Sequence, residues 1–272
     1  VAVQPTDPAG RTVPALPNAR DLGGLPVGGG GWTGTGRVLR SAAPLLPEHA
    51  EAIATLGVAR VVDLRGEMEV ERQPNAAPQA LVTRLDVLAD APQDAAAALA
   101  PLAASLAAPG EAGEMAAADV GALAVHLRDL MVDSYRDFVL LPSARAAAAG
   151  TIRAVLAADG PVLVHCTAGK DRTGWISAVL LDAAGVPWDV VLTDYLASAP
   201  AVEELFEPFR ALMVDRGVDP ALLDPLLGVE ASWLDTARST AVELHGSMDA
   251  YLTQGLGLSG DEVEALRVRL RS

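Results

Sequence analysis

Pro161-Val162-Leu163-Val164-His165-Cys166-Thr167-Ala168-Gly169-Lys170-Asp171-Arg172-Thr173-Gly174-Trp175 is the stretch whose reading decides the fold of this chain. It opens with a short apolar run directly after Asp159-Gly160, the pattern of a buried strand entered from a turn. Ile176-Ser177-Ala178-Val179-Leu180-Leu181-Asp182 follows and predicts a helix. Between strand and helix lies a compact loop with the only cysteine in the chain. A strand, a tight loop and a helix start in that order bind anions, because the first-turn N–H groups of the helix have no intrahelical partner.

The loop has the form Cys166-x5-Arg172. Curled over a helix start, both ends face one bound oxyanion. The helix terminus and Arg172 favour thiolate over thiol. A thiolate in that position attacks phosphorus and forms a covalent thiophosphate, which splits one hard hydrolysis into two steps. Arg172 offers a planar fork to two phosphate oxygens, and Gly169 permits backbone geometry that other residues resist. Thr167, Ala168, Gly169, Lys170, Asp171 and Arg172 are the expected phosphate-binding residues. Thr173 places a hydroxyl near the sulfur, where it stabilises the leaving group of the second step. Cys166 read alone is a small buried hydrophobe; the loop around it makes it the candidate nucleophile. His165 has no acid partner visible in the sequence, and its strand-end position favours a structural hydrogen bond over a general-base role. Lys170 adds a second positive charge suited to a substrate with more than one phosphate; the competing reading is a solvated lysine that only raises the local potential.

His165-Cys166-x5-Arg172-Thr173-Gly174 resembles the signature of cysteine-dependent protein tyrosine phosphatases, and the full string from His165 to Gly174 is similar to their atypical bacterial branch. Asn18-Ala19-Arg20-Asp21-Leu22-Gly23-Gly24, Val62-Asp63-Leu64-Arg65 and the run from Ser232-Trp233-Leu234 to Tyr251-Leu252 also resemble motifs of that branch. The resemblance spans most of the chain. It implies a phosphotyrosine phosphatase-like α/β fold with a helical lid, and puts Arg20 and Asp21 beside the phosphate loop as supporting residues. It also implies phosphoinositide substrates alongside phosphoproteins, because related phosphoinositide phosphatases carry loop lysines.

Outward from the loop, 272 residues suffice for one large domain or two small ones, and the 51% apolar content supports a sizeable core. No linker or internal repeat divides the chain, so residues 1–272 read as a single domain. A net charge of −15 argues against nucleic acid and against general attraction to anionic membranes. One cysteine excludes an internal disulfide framework and fits a catalytic thiol. No stretch approaches about 20 uninterrupted apolar residues, so no membrane insertion is expected. Val1-Ala2-Val3-Gln4-Pro5 lacks a basic region followed by an apolar run, which makes a cytoplasmic monomer the expectation and leaves export without a cleaved signal open.

Residues 1–36 are rich in Pro and Gly and read as loop or hairpin; there Arg20 and Asp21 are either a salt-bridged turn or supports of the phosphate loop. Gly36–Ser41, Val58–Leu64 and Leu81–Val87 read as strands, and Pro47–Leu56 as a helix ended by Gly57. With the strand before Cys166, this order predicts an α/β fold: a mostly parallel central sheet flanked by helices. Asp63 ends its strand, and chemistry in such sheets collects at carboxyl ends, so Asp63 is a candidate neighbour of Cys166. Residues 90–130 turn alanine-rich, broken at Pro109-Gly110, and read either as an ordinary packed helical insertion or as a helical lid. Ser134–Phe138 is expected to begin another helix, Ser143–Ala158 a further one, and the chain after the loop is expected to be helical to its end.

The general acid stays open at this level. Departure of an alkoxide or phenolate needs a proton from a neutral carboxyl, and the candidates are Asp63, slightly favoured, and Asp171. Many tyrosine phosphatases use the aspartate of a Trp-Pro-Asp loop; this chain has none, only Pro187-Trp188-Asp189 downstream. No metal or other cofactor is expected, since His49, His126, His165 and His245 are scattered. The expected activity is hydrolysis of phosphate monoesters through a phosphocysteine, on phosphorylated protein or phosphoinositide. The alternatives are a phosphopeptide- or phosphoinositide-binding module without turnover, and a cysteine-loop sulfurtransferase.

Overall fold

A computed structural model describes residues 11–91 and 117–271. Its centre is a sheet of five strands, β1 (Arg20–Asp21), β2 (Val38–Ser41), β3 (Arg60–Asp63), β4 (Val82–Arg84) and β5 (Val162–His165). They lie in the order β1-β2-β5-β3-β4, so β5 is the middle strand. β5 pairs in parallel with β2 and β3, β4 adds in parallel to β3, and β1 alone runs antiparallel. The mostly parallel sheet expected from the sequence is therefore present.

Register explains why these strands read as unbroken apolar runs. Leu163 sits opposite Leu39 and Val61, and Val164 opposite Val62. Successive side chains point to opposite faces. Leu39, Val61 and Leu163 pack with Ile53 and Ala52 of α1 (Pro47–Thr55) on one face. Val38, Val62, Val162 and Val164 enter the larger core on the other. A central parallel strand is covered on both faces and needs this composition.

The longer helices that follow are α2 (Glu67–Arg72), α3 (Ala117–Leu140), α4 (Pro142–Ala157), α5 (Asp171–Ala183), α6 (Trp188–Leu196), α7 (Ala199–Asp215), α8 (Pro220–Leu227), α9 (Ala231–His245) and α10 (Gly260–Arg271), with short helical turns at Gln79–Leu81, Met248–Ala250 and Tyr251–Gly255. α4 meets the sheet through Ala144, Ala147, Ala148, Ile152 and Val155, whose small side chains allow a close approach. α5 is buried almost all round, from Thr173 through Leu181, which marks it as the central helix of the larger core.

The insertion expected over 90–130 falls partly on residues 92–116, outside the described residues. From Ala117 onward the chain is one helix to Leu140, and Ser134–Phe138 continues it rather than opening a new one. No Pro or Gly interrupts residues 122–140, so nothing in the backbone stops it. Its first half packs Ala124 and Leu127 against Met213, Val218, Leu222 and Leu223, a satellite cluster around α7 and α8. Its second half sends Tyr135, Phe138 and Val139 into the main core. Among the described residues no single helix is long and apolar enough to cross a membrane; α3 and α4 reach that only as a pair bent by 61°, and the buried apolar residues of α4 belong to the main core.

Candidate active site

β5 ends at His165, and the chain then makes a tight turn through Cys166–Lys170 into α5. Every carbonyl of that turn has a partner. The Cys166 carbonyl lies 3.0 Å from His165 Nδ1. The Thr167 carbonyl accepts from the Ala43 N–H at 3.0 Å, and the Ala168 carbonyl from Asn18 Nδ2 at 2.8 Å. The Gly169 carbonyl accepts from Arg40 Nη2 at 2.8 Å, and the Lys170 carbonyl from the Gly174 N–H at 2.7 Å. A peptide unit is planar with its N–H opposite its C=O. Pulling the carbonyls outward to the scaffold turns the N–H groups inward. Those of Thr167, Ala168, Gly169 and Lys170 have no hydrogen-bond partner among the described residues. They form a nest of donors at the start of α5, the geometry that binds a tetrahedral oxyanion.

Two residues make this turn possible. Gly169 adopts φ +69°, and a Cβ there would collide with the Ser41–Ala42 peptide of β2. Asn18 is the only non-glycine residue with positive φ among those described, at +49°. Asparagine tolerates that region, and the side chain so placed reaches the loop.

Arg172 lies at the start of α5. Its Nη1 and Nη2 donate to Glu69 Oε2 and Oε1 at 2.6 and 2.7 Å. The same carboxylate accepts from the Thr167 hydroxyl. Glu69 thus holds the end-on edge of the guanidinium; Nη2 also lies 3.5 Å from Thr167 Oγ1, and Nε–H makes no hydrogen bond among the described residues. Burial on its own disfavours the ionised form of each partner. For Arg172 the Glu69 hydrogen bonds and the Cys166, Glu69 and Asp171 charges outweigh it and raise the value. For Glu69 the Arg172 bonds and charge, with Thr167 and the Gly66 N–H, outweigh it and hold the carboxyl at about 2. The pair is fully ionised at neutral pH.

Under the loop lies a buried ionic cluster. Arg11, Arg20 and Arg40 converge on Asp194 at 2.8, 3.0 and 3.0 Å. Ser198 joins at 3.1 Å from Arg20 Nη2. Burial would push the Asp194 carboxyl up; the charges of Arg20, Arg40 and Arg11 hold it well below the ordinary range instead. Arg40 is itself lowered to about 10, by burial first and by Arg20 second, with Cys166 and Asp194 acting the other way. Arg20 touches the loop only through Asn18 Oδ1, 3.3 Å away. Asp21 does not join the site: its carboxylate accepts from the N–H groups of Gly23 and Gly36 at 2.8 and 2.6 Å and closes the Gly-rich turn.

Asp63 lies behind the loop, not at its mouth. It is 1% exposed. Arg65 grips both its oxygens at 2.9 and 2.8 Å, and Asn75 Nδ2 adds a third bond at 2.9 Å. His165 completes this layer. Its Nδ1 faces a carbonyl and must carry the proton, so Nε2 accepts from Asn75 at 3.1 Å. Burial lowers the His165 value and keeps the ring neutral, against the raising effects of Asp63 and the Cys166 carbonyl.

Lys170 is buried too, against the reading of a solvated lysine. Its ammonium contacts Asp171 Oδ2 at 3.0 Å and the Gly228 carbonyl at 3.0 Å, and sits 5.5 Å over the Trp233 ring. Asp171 is different: its side chain keeps 23% of its surface open, and its Oδ1 accepts from the Tyr135 hydroxyl at 2.9 Å. Thr173 Oγ1 is buried with no partner among the described residues. None of the described His, Cys, Asp and Glu side chains cluster as a metal site.

Sequence reading missed Glu69, Arg40, Asn18, Asn75, Asp194 and Tyr135. Arg40 and Asp194 leave a trace, since each puts a charge among the apolar residues of a short strand or helix. Glu69 leaves none; it is one acid among Glu67, Glu69 and Glu71.

A sequence profile of the tyrosine phosphatase family matches residues 11–272. The chain belongs to the tyrosine phosphatase family. The match covers the sheet, the loop and every helix described. A Cupriavidus necator protein provisionally named a tyrosine-protein phosphatase is 35% identical over 98% of this chain and 93% of its own length. The triple specificity protein phosphatase PtpB of Mycobacterium tuberculosis is 34% identical over 78% of this chain and 82% of its own. A tyrosine-protein phosphatase of Nostoc commune is 36% identical over 41% of this chain and 40% of its own.

Proposed function

We propose that this phosphatase hydrolyses phosphate monoesters in two steps through a phosphocysteine on Cys166. The observation that carries the reading is the outward tethering of the loop carbonyls from Cys166 to Lys170, which leaves the amides to converge on one tetrahedral dianion. The loop amides, the start of α5 and the Nε–H edge of Arg172 bind the phosphoryl oxygens and stabilise charge as it spreads over them. Glu69 keeps Arg172 in the orientation that presents this edge.

In the first step the Cys166 thiolate attacks phosphorus. The S–P bond forms, the P–O bond breaks, and the departing oxygen takes a proton from Asp171. In the second step water attacks the phosphocysteine, gives its proton back to Asp171, and the sulfur leaves as thiolate beside the Thr173 hydroxyl. Asp171 is assigned this role over Asp63 because its side chain keeps 23% of its surface open, whereas Asp63 is 1% exposed with both oxygens bonded to Arg65 and Asn75.

Phosphotyrosine in proteins is the leading substrate class, supported by the names of the relatives. The triple specificity of PtpB extends the proposal to phosphoserine, phosphothreonine and phosphoinositides. The test is hydrolysis of 4-nitrophenyl phosphate and of phosphotyrosine, phosphoserine and phosphoinositide substrates in a chelating buffer. Activity is expected in wild type, with a loss of at least about 10³-fold in Cys166→Ser. Rapid acid quench is expected to trap phosphate on the Cys166 peptide. Tight phosphate binding with no turnover would identify a binding module instead.

A further inference from the structure

We propose that Tyr135, backed by Tyr195, is a positioning residue for the phosphatase reaction: its hydroxyl fixes the carboxyl of Asp171 at the mouth of the phosphate loop. The inference rests on the assignment of Asp171 as proton donor and adds the groups that aim it.

Tyr135 is fully buried on α3, 36 residues before Asp171 in the chain. A buried phenol must find hydrogen-bond partners, and this one has two. It donates to Asp171 Oδ1 at 2.9 Å, and its oxygen lies 2.6 Å from the Tyr195 hydroxyl on α6. Tyr135 has one proton, and that proton is committed to the carboxylate. The second bond must therefore use the proton of Tyr195, which fixes the direction of the chain as Tyr195 to Tyr135 to Asp171. Burial, with the nearby Asp171 charge, raises both phenols well above the usual tyrosine value, so both remain donors across the physiological range.

The rings are held as firmly as the hydroxyls. The Tyr135 ring packs on Phe138, Trp233 and Tyr195 at centroid distances of 5.1, 6.1 and 6.4 Å. Gly174 makes room for this cluster: a Cβ there would come within 2.9 Å of the Tyr195 ring. On the opposite side Lys170 Nζ sits 3.1 Å from Oδ1 and 3.0 Å from Oδ2. Asp171 is thus clamped between α3 and its own loop: Oδ1 is held by Tyr135 and Lys170, and Oδ2, which among the described residues only Lys170 contacts, exchanges the proton. Tyr135 has no hydrogen bond to Cys166 or Arg172, so any effect on the chemistry passes through Asp171.

The test is kcat/KM for a series of aryl phosphates, from acidic leaving groups such as 4-nitrophenol to phenol itself, in wild type, Tyr135→Phe, Asp171→Asn and the double variant. kcat/KM reports the step in which the P–O bond breaks and the leaving oxygen is protonated. Tyr135→Phe is expected to lose about 10-fold on phenyl phosphate and about 2-fold or less on the most acidic leaving group. It is expected to add nothing in the Asp171→Asn background. Equal loss across the series, or a full additional loss on top of Asp171→Asn, would mean a merely structural tyrosine and overturn the proposal. Leaving-group sensitivity in Asp171→Asn alone overturns the Tyr135 inference and leaves the Asp171 assignment standing. A flat response in Asp171→Asn removes that assignment and the inference with it. Tyr195→Phe, which keeps the Tyr135 bond to Asp171 but removes the donor behind it, is expected to show the same dependence more weakly. It also serves as the reading variant if Tyr135→Phe does not fold.

Discussion

At Arg172 the end-on edge of the guanidinium belongs to Glu69, and the proposed reaction uses the other. Glu69→Gln keeps the shape and removes the charge. The expected result is a loss of about 10-fold in kcat/KM on an aryl phosphate. The same pair carries a pH signature. The Glu69 carboxyl is held at about 2 in the fold against 4.5 when unperturbed. A depressed folded-state value means stability that is fully present above 4.5 and lost as pH falls towards 2. Because this carboxylate is 37% exposed, solvent screening reduces the contribution to about 1 kcal/mol. Urea unfolding at pH 6 and pH 3 is expected to show wild type losing more stability than Glu69→Gln over that interval; equal losses would place the acid sensitivity elsewhere.

At the scale of elements, the phosphate loop is shaped by what surrounds it. β2 supplies the Ser41–Ala42 peptide that Gly169 lies against, and α6 supplies the Tyr195 ring that Gly174 lies against. Gly174→Ala is expected to destabilise the protein by about 1–3 kcal/mol through overpacking, read as a lower thermal midpoint. Gly169→Ala combines that kind of clash with a positive φ. It is expected to abolish the stabilisation that inorganic phosphate gives wild type in the same melt, because the loop amides no longer converge. α3 shows where local reading stops. The alanine-rich stretch to residue 130 and the helix start expected at Ser134–Phe138 meet in one element, with the polar Asp133 and Arg136 between its apolar positions. Those polar residues face outward on one continuous helix, while Tyr135 and Phe138 turn into the core.

For the whole molecule, the cluster of Arg11, Arg20, Arg40 and Asp194 joins the N-terminal segment, the sheet and α6 beneath the phosphate loop. It holds three guanidinium groups against one carboxylate, so Asp194→Asn leaves buried positive charge uncompensated. The expected cost is about 3–5 kcal/mol, seen as a lower urea midpoint with an unchanged slope; a change under about 1 kcal/mol would show that the arginines find other partners. The strands of the sheet and the Cys166–Arg172 loop were legible in the chain because each is written in a short stretch. An unbroken apolar run, a turn before the strand, a glycine for positive φ and a helix start are all written within some fifteen consecutive residues. Glu69 and Tyr135 were not, since each reaches the loop from 36 or more positions away in the chain. The choice between Asp63 and Asp171 likewise could not be made from residue type, because both are aspartates next to an apolar strand and an arginine. Sequence alone determined the α/β sheet, the anion-binding turn and membership in a phosphatase family, since backbone preference and side-chain periodicity act between near neighbours. Only the tertiary structure decided which carboxylate is buried and hydrogen-bonded behind the loop and which stays partly exposed, because that depends on long-range burial and on partners such as Arg65, Asn75 and Tyr135 that folding alone brings within hydrogen-bond distance.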